Sequence, residues 1–147
     1  IVETDINEAV RDIIPLIEAQ ARASNVELRA EYGELPMTQG DPNQLKQVFI
    51  NLINNAISAM PGGGILGIVT SRNGDVIMVK IKDTGHGIPE ELQGRIFEPF
   101  FTTKKDKGTG LGLPISFRIV QDHGGRIEAE SNDGQGSTFT VFLPIKG

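Results

Sequence analysis

The chain has 147 residues, which is enough for a sizeable hydrophobic core and predicts one domain over residues 1–147. Hydrophobic residues make up 38% and charged residues 22%, which excludes intrinsic disorder, and no apolar run approaches the ~20 residues that a membrane-spanning helix needs. A net charge of -5 argues against general nucleic-acid binding, and the absence of cysteine excludes disulfides and thiol chemistry.

The N-terminal part of the chain is predicted to form short strands around one helix. Residues 1–4 fit a strand, and residues 5–24 fit a helix whose first residue is an aspartate, a good N-cap. Pro15 lies inside this helix, so it should either kink the helix or mark its true start. Residues 26–32 alternate as a strand, and residues 35–39 fit another short one.

An amphipathic helix over residues 44–60 has the clearest start signals. Asp41 and Pro42 fit its cap and first turn, and Gln44 fits the side-chain acceptor of a capping box. Its apolar side chains share one face, and an uncharged polar stripe runs roughly opposite. The stripe comprises Gln44, Gln47, Asn51, Asn55 and Ser58. Because Lys, Glu and Arg form helices better than Asn does, the stripe indicates either a binding role or an indifferent polar surface.

Two predicted strands over residues 65–71 and 76–82 flank Asn73-Gly74, a sequence that predicts a type I′ hairpin turn. The alternation of side chains in the second strand places Asp83 on its apolar face. A carboxylate in that position needs a hydrogen-bond donor. Asp83 therefore either caps the following turn or accepts a hydrogen bond from a ligand at the end of the sheet.

A basic, glycine-rich segment precedes the next predicted helix. Residues 102–107 contain Lys104 and two further lysines but no apolar residue. Residues 108–112 then lead into a helix over residues 113–123, whose N-terminus offers free backbone N–H groups and a partial positive charge. We expect phosphate groups to bind here, and a solvated lysine loop is the plain alternative.

Neither histidine is a predicted catalytic base. His86 fits an exposed loop, and His123 fits a structural role in the last helical turn, where a histidine suits the helix dipole. Two isolated histidines without cysteine also argue against a transition-metal site. Residues 126–131 and 137–145 complete the chain as strands, with Ser137 on the apolar face of the second.

Five short motifs carry a family resemblance. In chain order they are NLINNA at 51–56, DTGHG at 83–87, FEPFF at 97–101, GTGLGL at 108–113 and GQGSTF at 134–139. They resemble the N, F and glycine boxes of the catalytic, ATP-binding domain of sensor histidine kinases, in the superfamily of gyrase, Hsp90 and MutL. The segments at 55–60 and 100–104 most resemble the nitrogen-regulator and sporulation-kinase branch. The resemblance covers essentially the whole chain.

This resemblance implies a Bergerat ATP-binding fold. Such a fold is an α/β (α+β) two-layer sandwich, with a mixed, mostly antiparallel sheet and helices on one face. ATP would lie between the helix layer and a lid formed by the lysine segment. The ligands implied are therefore ATP and Mg2+.

Individual site residues also carry over from the family motifs. Asn55 would bind Mg2+ with Asn51 beside it, and Asp83 would accept a hydrogen bond from the adenine amino group. The residues implied in nucleotide binding are Asn51, Asn55, Asp83, Gly85, Gly87, Ile88, Lys104, Gly108, Thr109, Gly110, Leu111, Gly112, Leu113 and Ser137. Lys104 would join the two asparagines in catalysis. Ser58 departs from the pattern, because many relatives place a phosphate-contacting lysine there.

Asn51 occupies the position where relatives that hydrolyse ATP place a glutamate that activates water. Because asparagine is neither an acid nor a base, the resemblance implies a domain that holds ATP for an external nucleophile. In the family this nucleophile is a histidine on a separate dimerisation domain, which we expect to be absent from this chain. The chain alone should therefore be inactive in autophosphorylation.

Further expectations concern partners and location. A response regulator would receive the phosphoryl group from the dimerisation domain. We expect this segment to be cytoplasmic and monomeric, without contact to a membrane or to nucleic acid. This expectation leaves open a membrane anchor elsewhere in the parent protein. Two alternatives stay open, namely an anti-sigma-factor-like serine kinase and a nucleotide-binding interaction module without catalytic activity.

Overall fold

The computed structural model describes residues 1–85, 112–131 and 136–145. Its helices are α1 (Ile6–Ala23), α2 (Pro42–Ser58) and α3 (Gly112–Asp122), and its strands are β1 (Val2–Thr4), β2 (Val26–Tyr32), β3 (Thr38–Gly40), β4 (Gly64–Asn73), β5 (Val76–Asp83), β6 (Arg126–Ser131) and β7 (Ser137–Pro144). Within these ranges, no helix is both long and apolar enough to cross a membrane.

The main sheet has five strands in the order β2-β4-β5-β7-β6. The strand β2 pairs with β4 in parallel, and the other neighbouring strands pair antiparallel. The expected mixed, mostly antiparallel sheet is therefore confirmed. The strands β1 and β3 form a separate antiparallel pair, in which Thr4 lies opposite Thr38. The second of these strands begins later than the predicted residues 35–39.

The helices pack against one face of the sheet. On β5, Ile77, Val79 and Ile81 are fully buried, whereas Lys82 on the opposite face is exposed. The helix α2 lies against the buried face and contributes Phe49, which is also fully buried. Full burial of one large apolar side chain contributes roughly 1.5–3 kcal/mol. Apolar contact between the two layers therefore holds α2, and the site residues that it carries, on the sheet.

The helix α1 continues through Pro15, so this proline does not mark the helix start. The side chain of Asp5 caps the helix by accepting a hydrogen bond from the Glu8 N–H at 3.2 Å. Proline removes one helical hydrogen bond. The buried side chains of Ile13 and Ile17 hold the helix on the core on either side of that position.

The start of α2 differs from the predicted capping box. The side chain of Asp41 accepts hydrogen bonds from the backbone N–H groups of Asn43 and Gln44, as expected of a cap. The backbone N–H of Asp41, however, donates to Nε2 of His123 at 3.0 Å. The prediction that the Gln44 side chain fills this role is therefore wrong, because a buried imidazole already accepts from that N–H group.

The hairpin between β4 and β5 also differs in its turn. Asn73 pairs with Val76, so the two-residue loop consists of Gly74 and Asp75. Gly74 has a φ of 63°, whereas Asn73 and Asp75 are not among the described residues with positive φ. The predicted type I′ turn on Asn73-Gly74 is therefore wrong, and glycine at the first loop position is typical of a type II′ turn.

Candidate functional site

Asp83 ends β5 with its side chain on the buried face of the sheet, as the alternation predicted. It lies directly opposite Ser137 of β7, and the Ser137 hydroxyl donates to Oδ2 of Asp83 at 2.7 Å. The backbone N–H of Gly85 donates to Oδ1 at 2.9 Å. Asp83 therefore does cap the following turn. Because a carboxylate accepts about four hydrogen bonds, these two leave capacity for a donor on a ligand.

Close backbone packing brings the Asp83 turn against the end of α2. A Cβ atom on Gly85 would lie 2.2 Å from the carbonyl oxygen of Ala59. On the other side, a Cβ on Gly136 would lie 2.3 Å from the carbonyl oxygen of Asp83, and Gly136 has a φ of 88°. Both glycines therefore allow a close approach of backbone segments that a side chain would prevent. This packing role for Gly85 adds to the ligand role expected from the sequence.

Thr84 fastens the same turn to the neighbouring strand. Its hydroxyl oxygen accepts a hydrogen bond from the backbone N–H of Ile65 at 3.1 Å. The side chain also lies 3.6 Å from Sδ of Met60, a buried residue just beyond α2. The turn that carries Asp83 is thus fixed to β4, to β7 and to the end of α2.

The polar stripe of α2 contacts α3 at Asn51, the middle residue of the stripe, and is exposed to solvent one turn later at Asn55. Oδ1 of Asn51 accepts from Nε2 of Gln47 at 2.8 Å, and Nδ2 of Asn51 donates to Oγ of Ser116 at 3.2 Å. Ser116 lies on α3 and is fully buried. Asn55, one turn after Asn51, is exposed. The stripe is therefore not an indifferent surface, because its middle residue contacts a neighbouring helix.

Asn55 lies close to the turn that carries Asp83. Its backbone carbonyl accepts from the N–H of Ala59 at 3.0 Å, so the two residues are one helical turn apart on the same face. Ala59 in turn packs against Gly85. The structure thus places the exposed amide of Asn55 about one turn from the point where the Asp83 turn meets α2.

The helix α3 runs antiparallel to α2. Ser116, near its start, contacts Asn51, whereas His123, just past its end, contacts Asp41 at the start of α2. The backbone of Gly112 and Leu113 forms the first turn of α3, whose N–H groups lack partners within the helix. This first turn therefore points toward the Asn55 end of α2. The remaining predicted site residues, Gly87, Ile88, Lys104, Gly108, Thr109, Gly110 and Leu111, lie outside the described residues.

The side-chain oxygen of Asn55 is of the type that a magnesium ion binds. They contain no group of three or more His, Cys, Asp or Glu side chains that could hold a metal. Mg2+ bound with ATP needs only one or two protein oxygens, because phosphates and water complete its shell. Asn55 is exposed and has one such oxygen in its side chain.

Sequence reasoning missed two contacts of the site. Ser116 was not predicted to contact the polar stripe, although a serine between apolar residues of an amphipathic helix is a usable signal. His123 was predicted to suit a helix end, but its contact with Asp41 joins residues far apart in the chain. No local pattern encodes such a contact.

Comparisons with known proteins agree with this arrangement. Residues 40–147 match the family described as histidine kinase-, DNA gyrase B-, and HSP90-like ATPases. The chain is 44% identical to Sporulation kinase C of Bacillus subtilis over 143 residues, which are 96% of this chain and 33% of that protein. The predicted resemblance to sporulation kinases is thus confirmed, and the chain spans about a third of the length of this curated relative.

Solved structures of histidine kinases share the fold. The catalytic domain of histidine kinase ThkA is 37% identical with a TM-score of 0.88, over 99% of this chain and 98% of that one. Full-length ShkA in complex with AMPPNP is 28% identical with a TM-score of 0.89, over 99% of this chain and 31% of that one. ThkA has also been solved in complex with the response regulator protein TrrA. The predicted two-layer fold is therefore confirmed.

Proposed function

Because the chain belongs to the family of histidine kinase-, DNA gyrase B- and HSP90-like ATPases, we propose that it is the catalytic, ATP-binding domain of a sensor histidine kinase. In this proposal residues 1–147 form one domain that binds Mg2+-ATP. The domain transfers the γ-phosphoryl group to a histidine on a separate dimerisation domain. The observation that carries the proposal is the buried carboxylate of Asp83, held by Ser137 and Gly85 beside the polar end of α2.

Asp83 is the proposed adenine contact. An ionised carboxylate only accepts hydrogen bonds, so it suits the amino group of adenine and rejects a carbonyl at the same position. The hydroxyl of Ser137 and the N–H of Gly85 hold its two oxygens in fixed directions. Gly87 and Ile88 are the proposed neighbours of the base.

The phosphate end of the nucleotide is proposed to lie between Asn55 and the start of α3. Asn55 would hold Mg2+, which supplies positive charge that neutralises the phosphates. The first-turn N–H groups of α3 suit anionic groups because they carry the positive end of the helix dipole. Lys104 and the glycine-rich residues 108–111 are proposed to complete the phosphate contacts. Because Ser58 carries no positive charge, neutralisation of the phosphates is left to these groups and to Mg2+.

Asn51 favours phosphoryl transfer over hydrolysis. Its amide oxygen accepts from Gln47 and its amide nitrogen donates to Ser116, so the side chain is held between two helices. An amide does not take up a proton near neutral pH, so it cannot act as a general base toward water. The domain therefore orients ATP and leaves the γ-phosphoryl group for the acceptor histidine.

We further propose that the domain works within a two-component system. ThkA, a histidine kinase with the same fold, has been solved in complex with a response regulator. By this analogy, a response regulator receives the phosphoryl group from the dimerisation domain. The domain itself is proposed to be monomeric and cytoplasmic, with no contact to nucleic acid.

Phosphotransfer to the cognate dimerisation domain tests the proposal. The chain is mixed with that domain and ATP labelled on the γ-phosphate, with a dimerisation domain lacking the acceptor histidine as the matched control. We expect acid-labile phosphohistidine on the unmodified domain only. An acid-stable phosphoserine would support a serine kinase instead, and the absence of any transfer would overturn the kinase assignment.

A further inference from the structure

His123 joins the end of α3 to the start of α2. It follows α3 directly and is 7% exposed. Its Nε2 accepts a hydrogen bond from the backbone N–H of Asp41 at 3.0 Å, and its Nδ1 lies 2.8 Å from the carbonyl oxygen of Ile119. A carbonyl only accepts, so Nδ1 must carry the proton. The two contacts therefore define the neutral imidazole with its proton on Nδ1.

These contacts give His123 a structural role at the helix end, as the sequence predicted, but they require a neutral ring. A charged imidazolium would suit the negative end of the α3 dipole. Protonation of Nε2, however, would direct an N–H group at the N–H of Asp41 and remove the bond between the helices. The ring is also tightly packed, because a Cβ on Gly40 would lie 3.3 Å from its Cδ2 atom. His123 therefore acts as a neutral bridge.

Two polar contacts fix α3 along α2. The first joins His123 to Asp41, and the second joins Ser116 to Asn51. On α3 the two contacts are about two helical turns apart, so they lie on the same face. Val120, between them, is fully buried. Sliding of α3 along α2 would break both hydrogen bonds, so together they set the position of the α3 N-terminus relative to Asn51.

We propose that neutral His123 is a positioning residue for phosphate binding, acting through α3 to hold its first turn beside the Asn51 and Asn55 end of α2. This inference rests on the proposed function, because it assigns the phosphates to that first turn. His123 itself lies at the opposite end of α3 from that first turn. Its effect should therefore fall on the phosphates and not on the adenine contact of Asp83.

Two affinities are measured, one for AMPPNP with Mg2+ and one for adenosine, which has no phosphates. Their comparison distinguishes a positioning role of His123 from a general loss of the fold. His123→Phe keeps a ring but removes both hydrogen bonds, and we expect it to weaken AMPPNP binding roughly tenfold, which corresponds to about 1.4 kcal/mol. Adenosine affinity should change less than about twofold. His123→Gln offers an amide oxygen to the Asp41 N–H and should restore most of the AMPPNP affinity. The exposed neighbour variant Gln121→Ala is the matched control and should leave both affinities unchanged.

Nitrogen-15 NMR of the imidazole tests the bridge without any ligand. The wild-type chain should show the neutral ring with its proton on Nδ1, and a protonated ring or the other tautomer would overturn the proposal. Equal losses of AMPPNP and adenosine affinity in His123→Phe would also overturn it, since they indicate general destabilisation. If the wild-type chain bound neither ligand, the proposed function and the phosphate role would both fail. If the wild-type chain bound AMPPNP but His123→Phe kept the wild-type ratio of AMPPNP affinity to adenosine affinity, only this inference would fail.

Discussion

The hydroxyl of Ser137 donates to Oδ2 of Asp83 at 2.7 Å across the β5–β7 pair, and both residues are more than nine-tenths buried. The two positions are directly opposite in the register of the strands, so the sheet itself brings them together. A hydrogen bond to a carboxylate is shorter and stronger than one between neutral groups. The orientation of the proposed adenine contact is therefore set by the sheet before any ligand binds.

Replacing Asp83 with asparagine should weaken ATP binding strongly while the fold is kept. The amide oxygen can still accept from Gly85 or Ser137, but the NH2 group adds a donor where adenine presents its own amino group. Loss of a hydrogen bond to a charged group costs about 1.5–3 kcal/mol, or roughly 10- to 150-fold in affinity. Calorimetric titration with ATP measures the change.

Ser137→Ala is the graded control for that variant. It removes one hydrogen bond to the carboxylate but leaves the carboxylate itself in place, so we expect a smaller loss of affinity than in Asp83→Asn. Unchanged ATP affinity in Asp83→Asn would refute the adenine assignment. An Asp83→Asn chain that has lost its far-ultraviolet dichroism would instead mean that the carboxylate is mainly structural.

Asn55→Ala should remove most of the magnesium dependence of ATP binding. In the wild-type chain, chelation of Mg2+ should weaken binding markedly, because Asn55 would hold the ion that neutralises the phosphates. In Asn55→Ala the same chelation should have a much smaller effect. The ratio of affinities with and without Mg2+, measured by calorimetry, gives the comparison directly.

Asn54→Ala provides a matched control for this ratio. Asn54 is the adjacent residue of α2 and is half-buried, so both variants gain similar helix propensity from alanine. We expect Asn54→Ala to keep the wild-type ratio. Equal ratios in the wild-type chain and in Asn55→Ala would show that Asn55 is not a ligand of the ion.

Asn51→Glu should raise the rate of ATP hydrolysis by the chain alone. The substitution places a carboxylate where hydrolysing relatives have one, and a carboxylate can accept a proton from water. Asn51→Gln has the same length without a base and should stay at the wild-type rate. Release of inorganic phosphate is the measurement, and equal rates in the two variants would mean that the residue at this position does not decide between transfer and hydrolysis.

The parts of the fold that were predictable are those with a local cause. The apolar stripe of α2, its Asp41 cap and the buried position of Asp83 all follow from periodicity and cap chemistry, and all three are observed. The contacts of Asp41 with His123 and of Asn51 with Ser116 were not predictable, because they join residues that only the packing of α3 on α2 brings together. The same packing displaced the predicted role of the Gln44 side chain.

Gly85→Ala should lower the free energy of unfolding even without nucleotide. The new Cβ would lie 2.2 Å from the Ala59 carbonyl oxygen, so the turn or the end of α2 must move. Overpacking of this kind typically costs about 1–3 kcal/mol. Thermal unfolding followed by circular dichroism measures the loss, and ATP affinity should fall with it because the Gly85 N–H holds Asp83.

Gly62→Ala is the control for this effect. A Cβ on Gly62 meets no atom within 4 Å, and this glycine does not have a positive φ. We expect an unfolding temperature at or slightly above the wild-type value, because alanine reduces the conformational freedom of the unfolded chain. Similar losses in both variants would remove the argument for a specific contact at Gly85.

Tyr32 should make the domain less stable at alkaline pH. Burial raises the pKa of Tyr32 above the ordinary tyrosine value, and the Arg11 guanidinium, whose Cζ lies 4.5 Å from the ring centroid, lowers it by a smaller amount. Below a pH of about 10 the ring is neutral in both states. Above it the unfolded chain loses its proton first, so the free energy of unfolding falls as pH rises through the folded pKa.

The chain has one tyrosine and no tryptophan, so the ultraviolet absorbance of tyrosinate reports Tyr32 alone. Its titration midpoint in the folded chain should lie above the ordinary value of about 10. Tyr32→Phe should lose less stability than the wild-type chain over the same alkaline range. Arg11→Met keeps a long side chain over the ring without the charge and should raise the midpoint further. A wild-type midpoint at or below the ordinary value would show that Arg11 outweighs burial at this ring.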